Sequence, residues 1–258
     1  ASCRGARGHG AGVLSLIINV NPHPRSVGRR DALVADVEDR HRWSASEARA
    51  ALAMAADDVP APLRILCYGD SLTAGYHMSG SQFAPYSVAF AKALGPLLSS
   101  GEGASRADVS TSGEAAAAME EAAERAAAAV SVDTIGLSGW TAIQMDDASS
   151  DDVCIDVCGM EGAGLEHACK EAAEAGKPYA VAIIMAGTND LEDNHIEATW
   201  TALKSLHRKA HVLGLRTVAV AIPEHGQERK IEALNYMRLE LSRRLREMAD
   251  KVGPRRMV

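Results

Sequence analysis

Three short stretches carry the residue types that acyl transfer to a hydroxyl requires. In "GDSL", Gly69 to Leu72, a serine follows an apolar run and precedes a helix-forming stretch. In "GLSG", Gly136 to Gly139, two glycines flank another serine, and in "GTND", Gly187 to Asp190, an asparagine follows a glycine by two. A serine at a strand-to-helix turn can offer its hydroxyl as nucleophile while its own N–H points into the same space as an oxyanion donor. Gly139 lets the backbone approach a ligand without a Cβ and supplies a second N–H. The Asn189 side-chain amide supplies a third. Three fixed donors around one point form an oxyanion hole, in which losing one typically costs on the order of a hundredfold or more in rate. Taken alone, Ser71 reads equally well as a helix cap at the end of a strand.

The elements that must position these residues follow from hydrophobic period. Residues 63–68, 132–137, 180–186 and 216–222 read as strands, the third ("AVAIIMA") apolar throughout, as a strand covered on both faces would be. Helical patterns occupy 85–99, 164–175, 196–213 and 228–250. This alternation predicts an α/β fold with a mainly parallel, doubly wound sheet. Ligands of such sheets bind at the carboxyl ends of the strands, and all three stretches follow strand ends. Residues 1–60 read as a tail with a short helix near 46–56. Its arginine-rich, acid-poor first thirty residues allow a targeting segment. An alanine-rich stretch, 112–130, opens with a capping-box pattern at Thr111 and reads as a helical insertion with a solvated surface.

Composition narrows the function. A chain of 258 residues fits one large α/β domain with extensions. The formal net charge of −7, with basic residues dispersed among acidic ones, argues against nucleic acid as a partner. No apolar run approaches the ~18 residues that span a bilayer, so a soluble protein is expected. Five cysteines do not make a disulfide framework in a chain this long. Cys67, within a strand, reads as an inert core thiol. Cys154 and Cys158, if helical, would share a face among Asp151, Asp152, Asp156 and Glu161. Without a second ligand pair this spacing does not define a metal site. Asp70 and Asp190 read as loop braces, and Trp140 as either cleft wall or core. The α/β-hydrolase elbow Gly-x-Ser-x-Gly fails at Thr73, and no nucleotide-binding loop is present.

GDSL, GLSG and GTND, in this order and each at a strand end, resemble the first three blocks of the SGNH, or GDSL, family of ester hydrolases. The resemblance spans roughly residues 63–250 and includes "LHRKAHVLGLRTVAVAIPEHG" after the third block. It implies a flavodoxin-like three-layer α/β/α sandwich, no metal or cofactor, a small ester or acylated substrate, Ser71 as nucleophile, and Ser71 N–H, Gly139 and Asn189 as oxyanion donors. The family's fourth block, Asp-x-x-His, is absent: no histidine in the chain has an aspartate three residues before it. The resemblance therefore implies a catalytic histidine and a fifth strand beyond Val258, with "GPRRMV" as the start of that strand. His195, His225 and His77, all after strand ends, are the candidates for a substitute base. A non-catalytic relative that binds esters or acylated glycans is the alternative.

Overall fold

The computed structural model describes residues 63–77, 82–99, 130–193, 195–224 and 231–252. The tail with its helix at 46–56, the alanine-rich stretch up to residue 129, His225 and residues 253–258 lie outside the described residues.

Four parallel strands form the sheet: β1 (Leu63–Gly69), β4 (Val130–Gly136), β7 (Val181–Met185) and β8 (Arg216–Ala219), in the order β4-β1-β7-β8. Alternation builds two cores from one sheet. Ile65, Cys67, Ile183, Met185, Val218 and Val220 face one side, and Leu66, Tyr68, Ala182, Ile184 and Ala219 face the other. Both faces of β1 and β7 are buried, which is why these strands are apolar along their length. β4 lies at the sheet's edge and is only half-buried beyond Val130, so it tolerates Ser131 and Asp133. The Asp133 carboxylate pairs with Arg64 and accepts the Tyr179 hydroxyl at 2.9 Å.

Helices cover each face. On the first side α2 (Tyr86–Ser99) packs through Tyr86, Phe90 and Leu94. On the second lie α3 (Ala142–Asp147), α4 (Leu165–Glu174), α5 (Ile196–Val212) and α6 (Glu232–Val252). α5 buries Thr199, Ala202, Leu203, Leu206, His207 and Ala210, the three-four spacing of one helix face. Lys209 ties α5 to the end of α3: its ammonium donates to Asp146 O and Ser149 Oγ, both at 2.6 Å, and pairs with Asp146 Oδ1 at 2.8 Å. The architecture is the three-layer α/β/α sandwich with a parallel sheet, in the strand order of flavodoxin-like folds.

Three expectations need correction. Val130 begins β4, paired with Leu63, rather than ending a helix. Cys154 and Cys158 share no helix: residues 154–155 form β5 (Cys154–Ile155), paired antiparallel with β6 (Glu161–Gly162), and Cys158 lies in the connecting turn. The fourth strand's ladder is shorter than 216–222. Among the described residues its pairing with β7 ends at Ala219, and one further bond runs from Val220 N to Ile184 O. A second small hairpin, β2 (Tyr76–His77) with β3 (Gln82–Phe83), also has no counterpart in the sequence reading.

The one-turn helix α1 (Ser71–Ala74) sits directly on the end of β4. A Cβ at Gly136 would lie 2.3 Å from Ala74 N and 2.5 Å from Ala74 Cα, so backbone itself blocks any side chain there. Gly136→Ala is expected to destabilise the fold by about 1–3 kcal/mol through overpacking. For a chain of this size that lowers Tm by several degrees, visible in a thermal melt followed by circular dichroism. An unchanged melt would contradict this packing.

Candidate active site

The strand order reverses direction between β1 and β7, and the loops that leave the sheet at this switch point carry the residues singled out by spacing. They leave on one rung. Gly69 is in register with Gly136 on one side and Met185 on the other. Leu137 N donates to Gly69 O at 2.7 Å, and Asp70 N donates to Met185 O at 3.2 Å.

Asp70 shapes the first loop. Its backbone is extended, its Oδ1 accepts the Leu72 N–H at 2.9 Å, and its carbonyl accepts the N–H groups of Thr73 and Ala74. It therefore N-caps α1 and leaves Ser71 at the first helical position, whose N–H points out of the helix. Neither the Ser71 N–H nor its hydroxyl bonds any described residue. Gly69 leaves no room for a Cβ, which would meet Met185 O at 2.1 Å.

The second loop is held by a residue that the sequence reading treated only as a metal mimic. Asp156, buried between β5 and β6, accepts Ser138 N–H on Oδ2 at 3.1 Å. Its Oδ1 accepts Cys158 N–H at 2.8 Å and Met160 N–H at 2.9 Å. One carboxylate thus closes the hairpin turn and fastens it to the glycine loop. Asp156 followed by Gly159 is a turn signature, and that was the available signal. Gly139 takes φ 78°, a conformation that disfavours side chains, and a Cβ there would touch Val157 at 2.7 Å. Its N–H has no acceptor among the described residues.

Asn189 and Asp190 join the third loop to the second. Asn189 Nδ2 donates to Trp140 O at 2.8 Å, which uses one of its two amide hydrogens. Asp190 Oδ2 accepts Ala142 N–H at 2.8 Å at the start of α3. Trp140 is partly buried against the core on this side, and its indole N–H donates to Ile155 O at 3.2 Å. Burial raises the Asp190 carboxyl, with hydrogen bonds from Ala142 and Thr199 offsetting part of the effect. Burial likewise pushes the fully enclosed Asp70 up to about 6. Hydrogen bonding from Leu72 and Thr188 opposes the rise, and the Asp190 charge adds to it. Both aspartates brace, as read from the sequence, though Asp190 braces the neighbouring loop rather than its own.

The histidines do not complete the constellation. His77 has Nδ1 3.0 Å from Gly75 O and Nε2 3.0 Å from Gln82 Oε1, so its hairpin occupies both ring nitrogens. His195 is exposed at the start of α5, and its recorded bonds are made by its carbonyl, to Thr199. His225 lies outside the described residues. His207 and His211 share the Thr217 hydroxyl, at 2.9 and 2.8 Å, near the amino-terminal end of β8 and away from the candidate site. Burial pulls His207 down to about 3, so it is a neutral core residue. Cys67 is fully buried, which pushes its thiol up to about 11. Among the described residues no group of three or more His, Cys, Asp or Glu side chains is placed to hold a metal, and no helix is long and apolar enough to cross a membrane.

Fold and site together define a three-layer α/β/α protein in which Ser71, Gly139 and Asn189 lie on three loops that follow adjacent strands at the sheet's switch point. No family model and no curated protein matches the chain. Among solved structures it is similar to a lipase/acylhydrolase from Enterococcus faecalis, with 22% identity over 74% of this chain and 72% of that one and a TM-score of 0.42. It is also similar to the esterase EstA from Pseudoalteromonas sp., at 14% identity, 71% and 73% coverage and a TM-score of 0.36. A GDSL-like lipase from Bacteroides thetaiotaomicron matches at 14% identity, 80% and 73% coverage and a TM-score of 0.37.

The elevated Asp70 carboxyl has a definite consequence for stability. Between pH 3.8 and about 6 the native chain holds a proton that the unfolded chain has released, so this residue's contribution to stability falls as pH rises through that window. Asp70→Asn keeps an oxygen for the Leu72 N–H and removes the buried charge. Its stability relative to the parent should rise by up to about 3 kcal/mol between about pH 4 and pH 7, measured by urea unfolding. Parallel pH curves for the two proteins would refute the assignment.

Proposed function

We propose that this protein is a serine ester hydrolase acting on a small ester or acylated substrate, with Ser71 as nucleophile. One observation carries the reading. The Ser71 and Gly139 N–H groups, both without an acceptor among the described residues, and the second amide hydrogen of Asn189 come from three loops that leave adjacent strands on one rung. Such preorganised donors stabilise the charge that develops on a carbonyl oxygen during acyl transfer. In that reaction Ser71 Oγ bonds to the acyl carbon as its proton passes to a base, and the carbonyl electron pair moves onto the oxygen held by the three donors. Collapse expels the alcohol oxygen, which takes the proton from the base. Water then attacks the acyl-serine through the same sequence and releases the carboxylic acid and Ser71. The family's base is a histidine. Of the candidates, His195 has a ring without a described partner, whereas His77 would first have to leave its hairpin bonds.

A second reading rests on the finding that no described histidine ring bonds Ser71: a site with donors and no base would hold an ester or an acylated glycan without cleaving it. A fluorophosphonate separates the two. Under the hydrolase reading it labels Ser71, as located by mass spectrometry, and Ser71→Ala abolishes both labelling and turnover of a nitrophenyl acetate. Asn189→Ala should lower kcat on the order of a hundredfold or more with a smaller change in KM. Activity that survives Ser71→Ala would remove the nucleophile assignment, and saturable ester binding without labelling would favour the binding module.

A further inference from the structure

Residues 137–140 form a hydrogen-bonded turn: Trp140 N donates to Leu137 O at 3.1 Å, and Gly139 takes φ 78°. A positive φ at the third position, with a non-glycine residue before it, is the type II form, whose central peptide is rotated by roughly half a turn from that of type I. Here the central peptide is Ser138–Gly139, and it carries the Gly139 N–H. We propose that the β5-β6 hairpin selects the orientation of this peptide, with Asp156 and Val157 as positioning residues for the Gly139 donor. The inference rests on the reading of Gly139 as an oxyanion donor and adds what holds that donor in place.

Three bonds fasten the turn to the hairpin. Ser138 O accepts the Val157 N–H at 3.2 Å, the Ser138 N–H donates to Asp156 Oδ2 at 3.1 Å, and the Trp140 indole N–H donates to Ile155 O at 3.2 Å. The first of these fixes the peptide plane. In a trans peptide the C=O and N–H point in opposite directions, so a Ser138 carbonyl aimed at the hairpin aims the Gly139 N–H away from it. Glycine alone does not make this choice, since it adopts both signs of φ and hence both turn types. In the other orientation the Gly139 N–H would face the Val157 N–H, donor against donor, and Ser138 O would stand on the side that the Gly139 N–H now faces. A carbonyl oxygen there would repel the charge that acyl transfer places on the substrate oxygen.

The hairpin is built to keep that position. Asp156 is buried, and its Oδ1 accepts the Cys158 and Met160 N–H groups at 2.8 and 2.9 Å, so the carboxylate that shapes the turn is also the one that reaches Ser138. Asp156 O accepts the Gly159 N–H at 3.0 Å, which puts Val157 at the second position of that turn and leaves its N–H for Ser138. At the base, Cys154 is buried in the core, and a Cβ at Gly162 would come within 2.9 Å of Leu137 Cδ2. The hairpin is therefore indexed to the residue after β4, from which the glycine turn also starts. Its hold extends to the third loop, because Trp140 O accepts Asn189 Nδ2 at 2.8 Å.

The turn position of Val157 supplies a selective variant. Proline suits the second position of a type I or II turn and has no N–H, so Val157→Pro deletes the bond to Ser138 O and keeps Asp156. Crystal structures of the full chain read the geometry without any need of activity. In Val157→Pro the Ser138–Gly139 peptide should turn over or take two orientations, whereas Val157→Ala, which retains the N–H, should keep the parent's. With nitrophenyl acetate, Val157→Pro should lower kcat about tenfold or more with little change in KM, and Val157→Ala should lose much less. Where Val157→Pro alters the melting profile, Asp156→Asn is the second variant. Its amide nitrogen opposes an N–H group that the carboxylate accepts, and the same two readouts apply. A peptide that keeps its single orientation in a folded variant overturns the inference. So does a rotated peptide with unchanged kcat, which removes Gly139 from the donor set. A parent that shows neither fluorophosphonate labelling nor turnover marks failure of the Ser71 reading instead, and the crystal comparison then decides the hairpin's role by itself.

Discussion

Everything at the candidate site depends on three strands ending level. Gly69, Gly136 and Met185 share a rung of the ladder, and the bonds Leu137 N to Gly69 O and Asp70 N to Met185 O carry that register one step past the sheet. Each following loop inherits its starting height and direction from the ladder. A displacement of a single rung, some 3.3 Å, would separate the donors by more than the length of a hydrogen bond. The absence of side chains at Gly69 and Gly136 belongs to the same constraint. Met185 O and the backbone of α1 occupy the space that a Cβ would need.

Above the rung, three buried aspartates do the fastening. Asp70 shapes the serine turn, Asp156 ties the β5-β6 hairpin to the glycine loop, and Asp190 joins the asparagine loop to α3. Each accepts backbone N–H groups that would otherwise need water. Their arrangement is selective, since the N–H of Ser138 is consumed and that of its neighbour Gly139 has no acceptor among the described residues. Burial raises the carboxyls of Asp70 and Asp190, so the loops hold their shape against an electrostatic cost. Nearby, the Ser71 and Gly139 N–H groups have no acceptor among the described residues.

Much of the fold was legible because its signals are dense and local. The run Val181–Met185 and the three-four spacing along α5 each identify an element without knowledge of its neighbours. The start of β4 was not, since Val130 follows an alanine-rich stretch and its strand character comes from pairing with Leu63. The two short hairpins have too few residues for any period. Ser71, Gly139 and Asn189 could be picked out by residue type at strand ends, but Asp156 only as a turn residue, because its hold on the glycine loop arises from tertiary contact with Ser138, 18 positions away. The histidines show the limit most clearly. Spacing placed His77 after a strand, yet only coordinates reveal that Gly75 and Gln82 claim both of its nitrogens.

The common rung also ties the site to folding kinetics. The loops that carry residues 71, 139 and 189 reach a common rung only after β1 has paired with partners from two later parts of the chain, and each pairing closes a long loop before it yields any stabilisation. Parallel pairing of this kind is slow and cooperative, and no subset of the strands assembles all three donors. A chain in which only β1 and β4 have paired therefore has the Ser71 and Gly139 loops on one rung and lacks that of Asn189. Recovery of the site during refolding consequently marks completion of the β4-β1-β7 ladder, which makes it a more stringent reporter of the native state than helix content.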